Sequence, residues 1–158
     1  MTIIKIDKNT LSQADTKEDV LKAISVYDDL ETMTVSEWIS MTLEINHEAL
    51  GLLIDNKLVA VAAVDEASDY RMDRWKEIRS FYVHPEYTEL KYGSLLVNHI
   101  VDRVDARGYE NTYVWVMEED QDARDFFELQ NIIPNGNRRR RIVSGVREEF
   151  LRYVYVNL

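Results

Sequence analysis

Residues 77–98, EIRSFYVHPEYTELKYGSLLVN, decide the fold, because they read as a strand, a tight irregular loop and a helix start in immediate succession. Ile78, Phe81 and Val83 supply apolar, β-favouring content, and Pro85 ends the strand because it has no N–H to give a ladder. Gly93 then begins an apolar-rich segment of helical period. The spacing predicts a helix over 95–106, with Leu96, Ile100 and Val104 on one stripe and Gly108 as its C-terminal stop. Backbone N–H groups at such a helix N-terminus have no intrahelical partner and point outward, so an anion fits there.

Working outward, residues 50–54 and 58–64 are apolar segments separated by the turn chemistry of Asp55, Asn56 and Lys57, which predicts an antiparallel hairpin. A polar loop over 65–73 leads into a strand over 75–83. On the other side, 111–117 reads as a strand rich in Tyr, Val and Trp, and 121–130 as a short helix capped by Asp120. Pro134, Asn135 and Gly136 read as a turn before two last strands, 138–143 and 150–156, joined around Gly145. Near the N-terminus, 2–6 alternates like a strand. Asp15 with Glu18, and Thr34 with Glu37, resemble capping boxes opening two amphipathic helices. Trp38 and Met41 on the second helix suit a core stripe or the wall of a substrate pocket. Met72 and Trp75 read as isolated apolar residues of a loop or as the mouth of a site. No repeat, low-complexity tract or linker interrupts the chain, so residues 1–158 are read as one domain.

The residues Ile78, Phe81, Val83, Pro85, Tyr87, Gly93, Leu95 and Leu96 fall at the spacings of the strand, pyrophosphate loop and helix of the GNAT superfamily, the acyl-CoA-dependent N-acyltransferases. Ala123, Phe126 and Phe127 sit where that family carries an A-x-x-F-Y segment. The resemblance implies an α/β (α+β) fold with a mixed, mainly antiparallel central sheet of six or seven strands and about four helices. The strand before Pro85 would lie centrally, parallel to 111–117 across a splay. It also implies acetyl-CoA as cosubstrate and an amine as acceptor. The family loop R/Q-x-x-G-x-G/A aligns with Thr88, Glu89, Leu90, Lys91, Tyr92 and Gly93, so only the last glycine is kept.

Composition bounds the partners. Forty-six per cent hydrophobic residues in a 158-residue chain suffice for one core. The longest apolar run, 58–64, is too short to span a bilayer, and the N-terminus lacks a signal-peptide pattern, so a soluble, cytoplasmic protein is expected. With no cysteine and three scattered histidines, neither disulfides nor a metal centre is expected. The net charge is −10; residues 1–70 hold 14 acids against 5 bases, net −9. That imbalance disfavours nucleic acid and anionic membranes and suits solubility or an amine acceptor, whether small molecule or protein. A homodimer is compatible with this reading.

Acyl transfer from a thioester needs a deprotonated amine, a held and polarised carbonyl, and a proton for the leaving thiolate. By resemblance, the amides of Phe81, Tyr82 and Val83 hold the thioester, and the loop and helix start, Thr88, Glu89, Leu90, Lys91, Tyr92, Gly93 and Ser94, hold the pyrophosphate. Asp120 and Phe127 border the same site. Glu77 aligns with the family's carboxylate base; its other reading is a strand carboxylate in solvent or paired with Lys76 or Arg79. The family's acid, the tyrosine of A-x-x-F-Y, is Phe127 here, which leaves water, Tyr92, Tyr113 or Tyr82 to donate. The arginine run 138–141 suits a solvated strand, a CoA phosphate, an acidic partner or RNA, and alternation lets only two of the four share a face. The alternative function is a non-catalytic GNAT-shaped binding or structural protein with a decayed acetyl-CoA site.

Overall fold

A computed structural model of the chain describes residues 1–6, 48–67, 70–88, 91–143 and 145–157. The helices expected from Asp15 and Thr34, with Trp38 and Met41, lie outside the described residues. So do Glu89 and Leu90.

Seven strands form one sheet: β1 (Thr2–Lys5), β2 (Glu48–Ile54), β3 (Lys57–Glu66), β4 (Trp75–Val83), β5 (Asn111–Met117), β6 (Ile132–Val143) and β7 (Val146–Tyr155). Their spatial order is β1-β2-β3-β4-β5-β7-β6, and every neighbouring pair is antiparallel except β4 with β5. Two α-helices appear among the described residues, α1 (Tyr92–Ala106) and α2 (Gln121–Leu129). The mixed, mainly antiparallel sheet is therefore as expected, with β4 at its centre.

Local chemistry explains the joints. Asp55 and Asn56 both take positive φ (49° and 64°), the twist-matched geometry of a two-residue hairpin turn between β2 and β3. Gly108 (φ 79°) stops α1 in the left-handed region, and Asn131 (φ 61°) does the same after α2, where a short polar side chain tolerates it. Asp120 caps α2 by accepting a hydrogen bond from the Ala123 amide at 3.1 Å. One expectation fails: Pro134, Asn135 and Gly136 do not end a loop. They form an irregularity inside β6, where the register to β7 jumps between Pro134 and Arg138, so the strand begins at Ile132. Turn residues inside a long edge strand produce a bulge when the flanking pairs on both sides keep their partner.

The core lies between α1, α2 and one face of the sheet. Leu96, Val97, Ile100, Val101 and Val104 of α1 meet Leu50, Leu52, Ala60, Ala62, Val64, Ile78 and Val114. Gly93 lets the start of α1 approach this face closely. A Cβ there would stand 3.1 Å from Val83 and 3.2 Å from the Phe126 ring. At the other end of α1, Arg103 clasps the buried Glu48 with two hydrogen bonds of 2.8 and 2.6 Å, and Arg107 adds a contact at 3.1 Å. The Arg103 hydrogen bond holds the Glu48 carboxyl below its ordinary pKa, against the opposing effect of burial.

Two stability predictions follow from these packings. Gly93→Val should lower stability by about 1–3 kcal/mol in urea unfolding, because the added methyls must displace Val83 or Phe126. Glu48→Gln should cost about 1–3 kcal/mol at pH 7, the partial exposure of Arg103 limiting the loss. Because the folded pKa of Glu48 is depressed, its contribution is present above the unfolded value near 4.5. The difference between wild type and variant should shrink as pH falls through the folded value; a gap of constant size down to pH 2 would show that the charge is irrelevant.

Candidate functional site

The site begins where β4 and β5 part. Their parallel pairing runs from Trp75↔Asn111 to Ile78↔Val114 and then stops, although both strands continue. Just there β4 carries a bulge. Ala63 of β3 faces Ser80 while Val64 faces Ile78, so Arg79 is the extra residue. The bulge resets the alternation, which puts Phe81 and Val83 on the same face as Ile78, towards α1.

The hydrogen-bonding edges can be read from one contact. The His84 amide donates to the Val59 carbonyl at 2.7 Å, so His84 faces β3. By alternation Tyr82, opposite Val61, also turns its backbone groups to β3, whereas those of Phe81 and Val83 turn towards the splay. Of the three amides expected to hold a thioester, two are thus aimed at the opening and Tyr82 is not. The Tyr82 side chain lies on the opposite face, with Val61.

An open cleft of about 310 Å³ lies beside the splay, lined by Phe81, Val83, Thr88, Gly93, Asp120, Asp122, Ala123, Phe126 and Phe127. Six of the expected cofactor residues are therefore brought together here: Phe81, Val83, Thr88, Gly93, Asp120 and Phe127. Lys91 stands exposed as the N-cap of α1 and forms no side-chain cap hydrogen bond, leaving the first-turn amides of α1 without a side-chain acceptor from it. Tyr92 does not line the cleft; it packs edge-on against Tyr87 at 5.8 Å. Ser94 follows in the first turn, half-buried. Thr88 already donates its hydroxyl to the Pro85 carbonyl at 3.1 Å. The inner wall is aromatic: Phe81 stacks on Phe126 at 5.2 Å and lies 5.8 Å from Phe127, which is 1% exposed.

Glu77 sits on the other face of β4, 3% exposed. Its Oε2 accepts from Arg79 Nε at 3.0 Å, and Arg79 also reaches Asp65 at 3.0 Å. Burial raises the Glu77 pKa above its ordinary value and outweighs the lowering influence of Arg79. Lys76, the other partner considered from sequence, points away, its ammonium 4.3 Å from the Tyr109 ring centre. Tyr113, directly across from Glu77 on β5, is buried.

Sequence reasoning left some lining residues out. Ala123 and Phe126 belong to the A-x-x-F segment and were visible as a motif, yet their place on the cleft wall follows only from α2 packing against β4. Asp122 and the Arg79–Asp65 link carried no sequence signal. Met72 and Trp75 do not open onto the cleft: the Met72 sulfur accepts from Arg152 Nη1 at 2.9 Å, and the Trp75 indole N–H donates to Glu110 at 3.1 Å. Among the described residues, no helix is long and apolar enough to cross a membrane.

Solved structures share this architecture. An N-acetyltransferase from Staphylococcus aureus Mu50 superposes with a TM-score of 0.76 at 13% identity, covering 97% of this chain and 96% of its own. The ribosomal-protein-S18-alanine N-acetyltransferase from Escherichia coli gives 0.70 at 16% identity, covering 98% and 92%. A GNAT family acetyltransferase from Elizabethkingia anophelis with acetyl-CoA bound gives 0.71 at 12% identity, covering 98% and 96%. At these identities the likeness establishes the fold. A comparison with curated protein sequences gave no significant match. The family model for the acetyltransferase (GNAT) family matches residues 11–131, well over half the chain. Together with the splayed β4–β5 pair and the helix start beside it, that match establishes that the chain belongs to the GNAT acetyltransferase family.

Proposed function

We propose that the chain is an N-acetyltransferase that moves an acetyl group from acetyl-CoA to a primary amine by direct attack, with Glu77 as general base. The observation that carries the reading is the splay. It places a cleft on one face of β4 and a buried carboxylate of raised pKa on the other, so two reactants can meet edge to edge through one gap.

The residues present fit the cosubstrate. Phe81 and Val83 turn unpaired backbone edges to the gap, the aromatic wall suits a thin, largely apolar arm, and the first turn of α1 is left uncapped by Lys91. The thioester, when bound, supplies an activated acyl group. Phe81 and Val83 would align its carbonyl with backbone groups, and the amides of Tyr92, Gly93 and Ser94 would face its phosphates. Glu77 would take the amine proton on Oε1, since Oε2 is engaged by Arg79. Phe127 has no proton to give, so the leaving sulfur takes its proton from water entering the open cleft.

Calorimetric titration with acetyl-CoA tests the first step: saturable binding is expected, and a folded protein that binds neither acetyl-CoA nor CoA would return the chain to the non-catalytic alternative. The pKa of Glu77 is raised, so it ionises, and the rate climbs, at higher pH than an ordinary carboxylate would allow. Glu77→Gln should lower kcat by about 10²-fold or more and flatten that rise while leaving acetyl-CoA affinity nearly unchanged. Equal turnover in wild type and variant would clear Glu77 of the role. Phe127→Tyr should raise kcat severalfold or more by restoring a donor, at a cost of about 1–3 kcal/mol if the hydroxyl lacks a partner. A folded variant with an unchanged rate would show that proton donation from position 127 is not limiting.

A further inference from the structure

The four-arginine run resolves into two kinds of residue. Arg138 pairs with Glu118 at 2.6 Å, and Arg140 pairs with Glu149. Arg139, between them, turns to the opposite face, the one that carries Glu77. Its guanidinium carbon lies 4.5 Å from the Trp115 ring centre and 5.8 Å from that of Phe150. It forms no ion pair among the described residues, and its Nε is buried without a hydrogen-bond partner. Arg152, directly across from Trp115 on β7, repeats the pattern. Its guanidinium lies 5.9 Å from the same indole and 5.9 Å from Tyr113; it donates from Nη1 to the Met72 sulfur, and its Nε is likewise buried without a hydrogen-bond partner among the described residues.

Stacking on an aromatic ring explains why an arginine lies flat, but it leaves the in-plane donors unused. Two guanidinium groups around one indole also repel each other in a partly dry setting. Scarcity of acids is not the reason, since the chain has 29 acidic residues against 19 Lys and Arg. A carboxylate whose charge acts on Arg139 is Glu77, and that group is hydrogen-bonded to Arg79 instead. Glu77 lies on β4, Trp115 on the adjacent β5, Arg152 on β7 one strand further and Arg139 on β6 beyond it, its guanidinium reaching back over the Trp115 ring. Base and indole thus stand on strands one spacing apart, roughly 5 Å, and base and Arg152 on strands two spacings apart, roughly 10 Å.

We infer that Arg139 and Arg152, flanking Trp115, bind an oxyanion of the acceptor, so that the preferred substrate is a small amine bearing a carboxylate or phosphate at that distance from its nitrogen. This rests on the acetyltransferase reading of the same site. The Nη donors of Arg139, with the Nη2 that Arg152 keeps beside its Met72 contact, converge next to an apolar ring and suit a planar carboxylate or a phosphate, while the amine end reaches Glu77.

The test pairs γ-aminobutyrate with γ-aminobutyramide, glycylglycine with glycylglycinamide, and phosphoethanolamine with ethanolamine, in a thiol-release assay with acetyl-CoA. The anionic members should show kcat/KM at least about tenfold above their neutral counterparts, the glycylglycine and phosphoethanolamine pairs separating carboxylate from phosphate preference. Arg139→Gln should pull that ratio towards one, with Arg139→Lys, which keeps charge but loses the fork, in between. Melting curves accompany both variants, and Arg139→Lys carries the test if Arg139→Gln does not fold. Equal use of charged and neutral amines, or a ratio indifferent to Arg139, overturns the inference and leaves the acetyltransferase reading standing. If no amine of either kind is acetylated, that reading fails instead, and calorimetric titration of the same anionic amines decides the site alone. Binding weakened at least about tenfold by Arg139→Gln supports it, and absence of binding to wild type ends it.

Discussion

The parting of β4 from β5 after Ile78 and Val114 is the constraint on which the rest of the site depends. A strand edge in a protein interior must find partners for its N–H and C=O groups, and β4 gives up those of Phe81 and Val83 on the β5 side. The opening is held by packing. Phe126 and Phe127, delivered by α2, lie against Phe81, so the aromatic cluster anchors β4 to α2 on the helix-facing side where the ladder has ended. The bulge at Arg79 is the second half of the device, because without the extra residue Phe81 would point to the other face and could not meet α2. Closing the splay would therefore require unpacking the core as well as shifting a strand.

The two faces of β4 carry opposite kinds of chemistry. Towards α1 the wall is mostly apolar, and the buried carboxylate there, Glu48, lies at the far end of the helix with its charge met by Arg103 and Arg107. On the other face, Asp65, Arg79 and Glu77 form a chain of ion pairs, and two stacked arginines follow on the next strands. Desolvation dominates there: it raises Glu77 and lowers Arg139, pushing each towards its neutral form. A carboxylate of raised pKa and a guanidinium with no ion pair among the described residues are both costly to bury, and such costs concentrate where ligands are recognised.

Much of this frame was legible in the chain. Pro85 marked the strand end, Gly93 the helix start, Asp120 the cap and Gly108 the left-handed stop, since each acts through its own backbone or its near neighbours. What stayed hidden depends on pairing between distant strands. Nothing local to Arg79 announces a bulge, so which of Phe81, Tyr82 and Val83 turn their side chains towards α1 could not be read from the chain. Turn residues at 134–136 look the same whether the flanking chain reverses or continues beside β7. Alternation in the arginine run was evident, but which pair would turn inward depended on the β6–β7 register, with Arg139 opposite Phe150. The Glu77–Arg79 pairing was foreseeable as a neighbour contact, while the burial that outweighs it was not.

The acidic rim of the cleft also reads differently in three dimensions than in a count of charges. Asp120 and Asp122 both line it and, taken as free carboxylates, oppose a phosphate. Yet both belong to the start of α2, where the helix dipole is positive, and Asp120 spends an oxygen on the Ala123 amide. Two helix N-termini thus border one cleft, and they are unequal. That of α2 is already satisfied by a fixed carboxylate from the chain itself, whereas that of α1 has only Lys91 at its N-cap, a cation with no acceptor to offer. On the proposed acetyltransferase reading an incoming anion would be turned away from the first and would meet amides left uncapped by Lys91, and its positive charge, at the second. The polarity of the cleft consequently runs from Asp120 to Lys91, and on that same reading it would orient a long anionic cosubstrate with its phosphates at α1 and its uncharged end along Phe81 towards the splay.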